Sequence, residues 1–122
     1  FEKFDKVLED MLYKEQTDQP LFVKEGSRMV RSCKNEIEYI EGYGDYVRIH
    51  LLDGKKLLSQ MSLKRFEETL TEKKFCRVHR SYIVAISQIS YIEKKRIRIG
   101  NQLIPIGESY FQRLMNHLSF AL

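Results

Sequence analysis

One short stretch concentrates the side chains of this sequence that could do chemistry. Residues 75–84 read Phe-Cys-Arg-Val-His-Arg-Ser-Tyr-Ile-Val, which brings a thiol, an imidazole and two guanidinium groups close together. The pattern predicts that Arg77, His79 and Arg80 crowd onto a short turn, between buried apolar positions and a β-strand. Forked arginine donors match phosphate oxygens and can also reach base edges, so the stretch indicates binding to a nucleic acid.

Catalysis by the same stretch is not supported by its spacing. Cys76 and His79 are three positions apart in a β-rich context, where their side chains need not face each other, and no acid is placed to orient the imidazole. The spacing also fits two zinc ligands, but the others would have to come from Cys33, His50 or distant acids. The chain has no nucleophile elbow, phosphate loop or zinc-protease helix motif. We therefore expect no enzyme, no metal site and no cofactor.

Composition describes one ordinary globular domain. The chain has 122 residues, 43% hydrophobic and 31% charged, which is long enough for a hydrophobic core of its own. No apolar run approaches the roughly 20 residues of a membrane span, and no signal peptide is visible. The two cysteines, Cys33 and Cys76, predict free thiols in a reducing cytoplasm. A start at Phe1 rather than Met predicts a fragment of a longer chain.

The charge balance permits a nucleic-acid partner without requiring one. Lys and Arg number 21 against 17 acids, for a net charge of +4. The cations recur at turns and segment ends, where phosphate contacts would give affinity and a few base contacts specificity. The candidates from this pattern are Lys24, Asp45, Tyr46, Arg48, Lys64, Arg65, Arg77, His79 and Arg80. Two alternatives remain: a module binding RNA or single strands with exposed tyrosines, or a protein-interaction module with solvated cations.

Periodicity divides the chain at about residue 20. Residues 1–20 carry apolar side chains at helical spacing and end in a polar stretch with Pro20, which predicts an amphipathic helix and linker. That helix fits equally well as part of its own domain or as a connector or dimer helix from a preceding domain. Residues 21–122 form the second unit, in which short β segments are separated by turn residues.

Within the second unit, turn and cap residues mark the elements. Asp53 and Gly54 are the strongest hairpin signal, typical of a type I′ turn. Ser62 is placed to cap the one internal helix, which extends to Leu70. Ser109 precedes an apolar helical stripe and is a possible cap for a C-terminal helix. The fold class predicted is mainly β, with helical ends.

Five motifs resemble those of the LytTR family, the DNA-binding output domains of many bacterial response regulators. Residues 75–84 match its F-x-R-x-H-R-S-[FY]-[IL]-V signature, and residues 37–41 its I-x-[YF]-I-E strand. Residues 44–47 resemble its G-D-Y-V turn, residues 62–64 its S-L-K helix start, and residues 104–110 its closing I-P-[IV]-[SG]-x-x-[YF]. The resemblance extends from about residue 21 to about residue 114.

The resemblance implies about ten short strands in small sheets with one short internal helix, plus N- and C-terminal helices. It implies binding to double-stranded DNA through loops, which enter two successive major grooves and the minor groove between them. It also implies an upstream receiver domain and a second copy on direct-repeat sites. Many members carry Ser-Arg where this chain has Gly107-Glu108, and that Arg reads a base. Glu108 can accept from cytosine, or the contact passes to Ser109, Tyr110 or Arg113.

Arg80 is the residue in the signature with the clearest predicted role. It has the strand parity of Val78 and Tyr82, which should face inward. A regular strand would therefore bury its charge, which costs several kcal/mol unless the charge is paired. A turn that points Arg80 outward avoids this cost and aims the guanidinium at DNA.

Overall fold

The computed structural model describes residues 20–70 and 73–118, and it is mainly β. These residues form ten strands and two α-helices, with short 3-10 turns at Lys34–Glu36 and Ile86–Gln88. The strands are β1 (Leu21–Glu25), β2 (Arg28–Ser32), β3 (Ile37–Tyr43), β4 (Tyr46–Leu51), β5 (Lys56–Ser59), β6 (Phe75–His79), β7 (Tyr82–Ala85), β8 (Tyr91–Glu93), β9 (Arg96–Ile99) and β10 (Gln102–Pro105). The helices are α1 (Leu63–Thr69) and α2 (Glu108–His117). The helix predicted for residues 1–20 lies outside the described residues.

The described strands form three antiparallel sheets. The largest has five strands in the order β5-β4-β3-β7-β6, so β3 is its central strand. A hairpin of β1 and β2 and a three-stranded sheet in the order β10-β9-β8 complete the set. The predicted fold class, ten short strands in small sheets with a short internal helix and a C-terminal helix, is confirmed for these residues.

The central sheet has a hydrophobic core on each face. Because side chains alternate along a strand, Ile83 of β7 enters one core and its neighbour Val84 enters the other. The first core is closed by Phe66 of α1, which is fully buried. The second is closed by the three-stranded sheet and by Leu114 of α2. Burial of the central sheet on both sides fixes the register of its strands, since a slip of one residue would exchange the two faces.

Two hairpin turns have backbone conformations other than those their residues favour. The loop after β4, residues 52–55, is not a type I′ turn, because Gly54 is its one residue with positive φ (88°) and its N–H bonds to the carbonyl of Leu51. Asp53 instead accepts a hydrogen bond from the N–H of Lys55. The two-residue turn between β8 and β9 has positive φ at both Lys94 (52°) and Lys95 (58°). This conformation costs about 1–2 kcal/mol per non-glycine residue.

The ends of both helices test the predicted caps. Ser62 caps α1 as predicted, since its hydroxyl accepts a hydrogen bond from the N–H of Arg65. The predicted cap Ser109 is wrong, because Ser109 lies inside α2, which begins at Glu108. The cap position is Gly107, two residues before Ser109, and Gly107 has no side chain to bond. A second correction concerns the signature, because Arg77 and His79 belong to strand β6 and only residues 80–81 form the turn.

Candidate nucleic-acid interface

Two turns and the starts of two helices lie close together at one end of the central sheet. They are the β3–β4 turn, the β6–β7 turn, the first turn of α1 and the start of α2. We call this surface, residues 43–46, 62–65, 79–82 and 107–110, the loop edge. The N–H of Gly42 donates to the carbonyl of Ser81 (2.8 Å), and the N–H of Gly107 donates to the carbonyl of Val78 (2.8 Å). Leu63 packs so close to Gly42 that an added Cβ would lie 3.2 Å from its methyl group.

The β3–β4 turn presents a carboxylate and two aromatic rings. Gly44 adopts a positive φ of 61°, and Asp45 and Tyr46 are exposed at the tip. The predicted contact Arg48 does not project from this turn. Its guanidinium lies 4.0 Å from the centre of the Tyr43 ring and 3.6 Å from the Glu41 carboxylate. Arg48 therefore covers one face of Tyr43 and holds the turn against the sheet.

The β6–β7 turn is braced from below by a second arginine. The Nε atom of Arg77 donates to the carbonyl of His79 (3.3 Å), and one terminal nitrogen donates to the carbonyl of Arg80 (2.6 Å). The other terminal nitrogen donates to the Glu67 carboxylate at 3.0 Å. The Nδ1 atom of His79 accepts a hydrogen bond from the N–H of Ser81 (3.0 Å). The side chains of the predicted contacts Arg77 and His79 thus stabilise the backbone of the turn.

Arg80 is the exposed member of the same turn. Throughout residues 20–70 and 73–118, the hydrogen bonds and ion pairs at this turn use its carbonyl oxygen and leave its guanidinium without a partner. The turn therefore presents Arg80 to solvent, as the cost of burying an unpaired charge predicts.

Glu67 connects the helices to the turn. Its two carboxylate oxygens lie 3.0 Å from Arg77 of β6 and 3.5 Å from Arg113 of α2. One acid of α1 thereby joins the signature strand to the C-terminal helix. Neither the sequence separation nor any motif pointed to Glu67, because the pairing depends on how three separate elements pack.

The remaining predicted contacts lie on exposed surface in or near the loop edge. Lys64 and Arg65 are exposed in the first turn of α1, and Lys24 is exposed on β1. Lys24 and Arg65 line the same open groove of about 590 Å³. At the start of α2, Glu108 and Ser109 are exposed, whereas the half-buried Tyr110 lies with its ring 5.9 Å from the Arg77 guanidinium.

A polar cluster supports the loop edge from within the sheet. The Glu41 carboxylate accepts a hydrogen bond of 2.7 Å from Nε2 of His50, and the His50 ring stacks on Tyr39 at 4.1 Å. Burial, followed by the charge of Glu41, raises the pKa of Tyr39 to about 12. The same two causes raise the pKa of Tyr82. Burial lowers the pKa of His50 from its ordinary value, and this effect exceeds the opposing effect of Glu41.

The lowered pKa of His50 predicts acid sensitivity. A histidine with a depressed pKa is protonated more readily in the unfolded chain, so its contribution to stability is present above a pH of about 6.5 and is lost as the pH falls. Between a pH of about 7.5 and about 5, the wild type should lose more unfolding free energy than His50→Gln. Denaturant unfolding at several pH values measures the difference. A larger loss in His50→Gln would mean that the Glu41 ion pair outweighs burial.

A metal site and a membrane-spanning helix are both absent from the described residues. No three His, Cys, Asp or Glu side chains in residues 20–70 and 73–118 form a group that could hold a metal ion. No helix in the same residues is long and apolar enough to cross a membrane.

Comparison with known proteins identifies the chain. The family profile of the LytTr DNA-binding domain matches residues 27–119. A solved structure from Bacillus cereus, described as the LytTr DNA-binding domain of a response regulator, superimposes with a TM-score of 0.71 at 21% identity, covering 84% of this chain and 99% of that one. The CO-responsive transcriptional regulator RcoM of Rhodospirillum rubrum is 33% identical over 88 residues, which are 66% of this chain and 37% of that protein.

These matches give the class of protein first and the family second. The chain is a DNA-binding domain of the kind found in transcriptional regulators, a class defined by binding and not by catalysis. It belongs to the LytTR family, as its five motifs indicate. It spans only 37% of the regulator RcoM, so the rest of that protein has no counterpart in these residues.

Proposed function

We propose that this domain binds double-stranded DNA in a sequence-specific manner through the loop edge. It serves as the cytoplasmic output domain of a bacterial two-component transcriptional regulator. The observation that carries the proposal is the convergence of four separate elements at one end of the sheet, where Arg80, Lys64 and Arg65 are exposed. A fold gains no stability from exposed cations gathered in this way, whereas a phosphate backbone requires them.

The predicted site residues then divide into two groups. Those exposed at the surface contact the duplex: Lys24, Asp45, Tyr46, Lys64, Arg65, Arg80, Glu108 and Ser109. Those held by internal contacts position the loops: Arg48, Arg77, His79, Tyr110 and Arg113. Lys24, Lys64 and Arg65 neutralise phosphates, while Arg80, Asp45 and Glu108 approach base edges in the grooves.

The proposal extends to the full-length protein. Residues 1–20 form the connector and residues 21–122 the binding unit, with a receiver domain upstream. Two domains occupy one duplex when its sites form a direct repeat. Each domain then contributes its own loop edge, and the spacing of the repeat sets the distance between copies.

A binding titration at several salt concentrations tests the proposal. Phosphate contacts by Lys24, Lys64 and Arg65 should give log K a slope against log salt of about −2.7 or steeper, since each contact contributes about −0.9. Promoter duplexes should compete better than random duplex, single-stranded DNA or RNA. Preference for single strands would contradict the proposal, and an affinity independent of salt would indicate a protein partner.

The single-strand alternative depends on exposed tyrosines as stacking platforms. Of the two tyrosines at the β3–β4 turn, Tyr43 has one ring face covered by Arg48 at 4.0 Å. Tyr43 nevertheless remains 56% exposed and Tyr46 is 42% exposed, so both rings are open to solvent. Two rings on one turn offer little for a long run of successive bases, which favours the duplex.

A further inference from the structure

The turn between β8 and β9 has an unusual composition for its backbone. Lys94 and Lys95 are the non-glycine residues with positive φ among residues 20–70 and 73–118. Turns of this type favour Asn-Gly or Gly-Gly, because these residues adopt positive φ with little strain. Two lysines are therefore a poor choice for forming the hairpin. Strained positions of this kind are concentrated at functional sites.

The same turn is attached to the loop edge. The carbonyl of Lys95 accepts a hydrogen bond from the N–H of Ile106 at 2.9 Å. The next residue, Gly107, bonds to Val78 at 2.8 Å, directly before the His79–Arg80 corner. Lys95 is therefore separated from β6 by two hydrogen bonds and one residue, a backbone distance under about 10 Å.

The Lys94 and Lys95 side chains have different surroundings. The ammonium group of Lys95 lies 5.6 Å from the centre of the Phe111 ring on α2, which directs it toward the helix that starts at the loop edge. Lys94 is exposed beside a surface recess of about 270 Å³ that Tyr91 and Leu103 also line. The Lys94 side chain is open to solvent, and the Lys95 ammonium lies beside the helix that starts at the loop edge.

We propose that the Lys94–Lys95 turn is an additional DNA contact that clamps the phosphate backbone beside the Arg80 turn. This inference rests on the proposed function, since it takes duplex DNA as the ligand. Lysines on a strained turn give affinity without base recognition, because an ammonium group contacts phosphate as a point charge. The three-stranded sheet thereby acquires a role in binding besides covering the second core.

The test separates the strain of the turn from its charge. Lys94→Asn with Lys95→Gly installs the preferred type I′ sequence and removes both cations, so the midpoint of thermal unfolding should rise. Affinity for promoter duplex should fall on the order of tenfold, and the salt slope should become shallower by about 1.8. Lys94→Arg with Lys95→Arg keeps the charges and should keep the wild-type slope.

A charge-matched control lies at the opposite end of the sheet. Lys55→Gln with Lys56→Gln removes two exposed cations from the β4–β5 loop and the start of β5, far from the loop edge. This control should leave the salt slope unchanged. If the wild type binds promoter duplex and Lys94→Asn with Lys95→Gly binds it with the same slope, the inference is wrong while the proposed function stands. If the wild type does not bind duplex, the proposed function fails first.

Discussion

Arg80→Ala should weaken binding to a specific DNA site by roughly 1–3 kcal/mol, or about 5- to 150-fold, because a guanidinium that reads a base contributes that much. Folding should hardly change. The Arg80 side chain is exposed and its guanidinium has no partner within residues 20–70 and 73–118, so the free energy of unfolding should shift by less than about 0.5 kcal/mol. Fluorescence anisotropy with labelled promoter duplex and denaturant unfolding measure the two quantities.

Two variants serve as controls for Arg80. Lys55→Ala removes an equal charge at the far end of the sheet and should change specific binding little. His79→Ala removes the acceptor for the N–H of Ser81 and should cost stability as well as affinity. Should Arg80→Ala unfold the domain while the remaining folded protein binds DNA normally, Arg80 is a structural residue.

Arg77→Ala, unlike Arg80→Ala, should have its largest effect on the stability of the fold. Arg77→Ala leaves two carbonyls at the turn without their charged donor and the Glu67 carboxylate with Arg113 alone. Loss of charge-assisted hydrogen bonds at a group only 17% exposed should lower the free energy of unfolding by about 2–3 kcal/mol. DNA binding should weaken too, because the turn that presents Arg80 loses its brace. Thermal unfolding and anisotropy titration on the same samples measure both effects.

Arg77→Lys distinguishes bracing from direct contact. Lysine keeps the charge but cannot reach three acceptors with a planar fork, so it should restore little of the lost stability. A phosphate contact would instead be largely restored. Arg28→Ala is the control for an ordinary ion pair, since its 3.0 Å contact with Glu25 is exposed and should contribute under about 1 kcal/mol. Wild-type binding in Arg77→Lys would show that charge alone matters there.

The elements that the sequence predicts well are those with local signals. The Ser62 cap and the apolar spacing of Phe66 and Leu70 define α1, and the alternating β segments define most strands. The outward position of Arg80 follows from the cost of burying an unpaired charge at a position that strand parity would turn inward. In each case a few adjacent residues determine the outcome through backbone sterics or burial.

The features that sequence patterns missed depend on contacts between distant elements. Glu67 and Arg113 are close because α1 packs on β3 and β7 while α2 packs on β6, which lies next to β7 in the sheet. Arg48 resembles a free cation until the register places it opposite Glu41. A turn at Lys94 and Lys95 follows from the sequence, but the positive φ of both residues goes against the local preference for glycine, because the flanking strands and the bond to Ile106 impose that conformation. Propensity gave no warning of these two contacts or of this conformation.

The separation between loop tips and cores has an evolutionary consequence. Asp45, Arg80 and Ser81 belong to neither hydrophobic core, and the backbone bond from Gly42 to Ser81 fixes the distance between the two turns whatever side chains they carry. On the proposed mode of binding, selection for a new target sequence acts on positions that selection for folding leaves almost free. A lineage can therefore acquire new target genes by changing a few tip residues on an inherited scaffold.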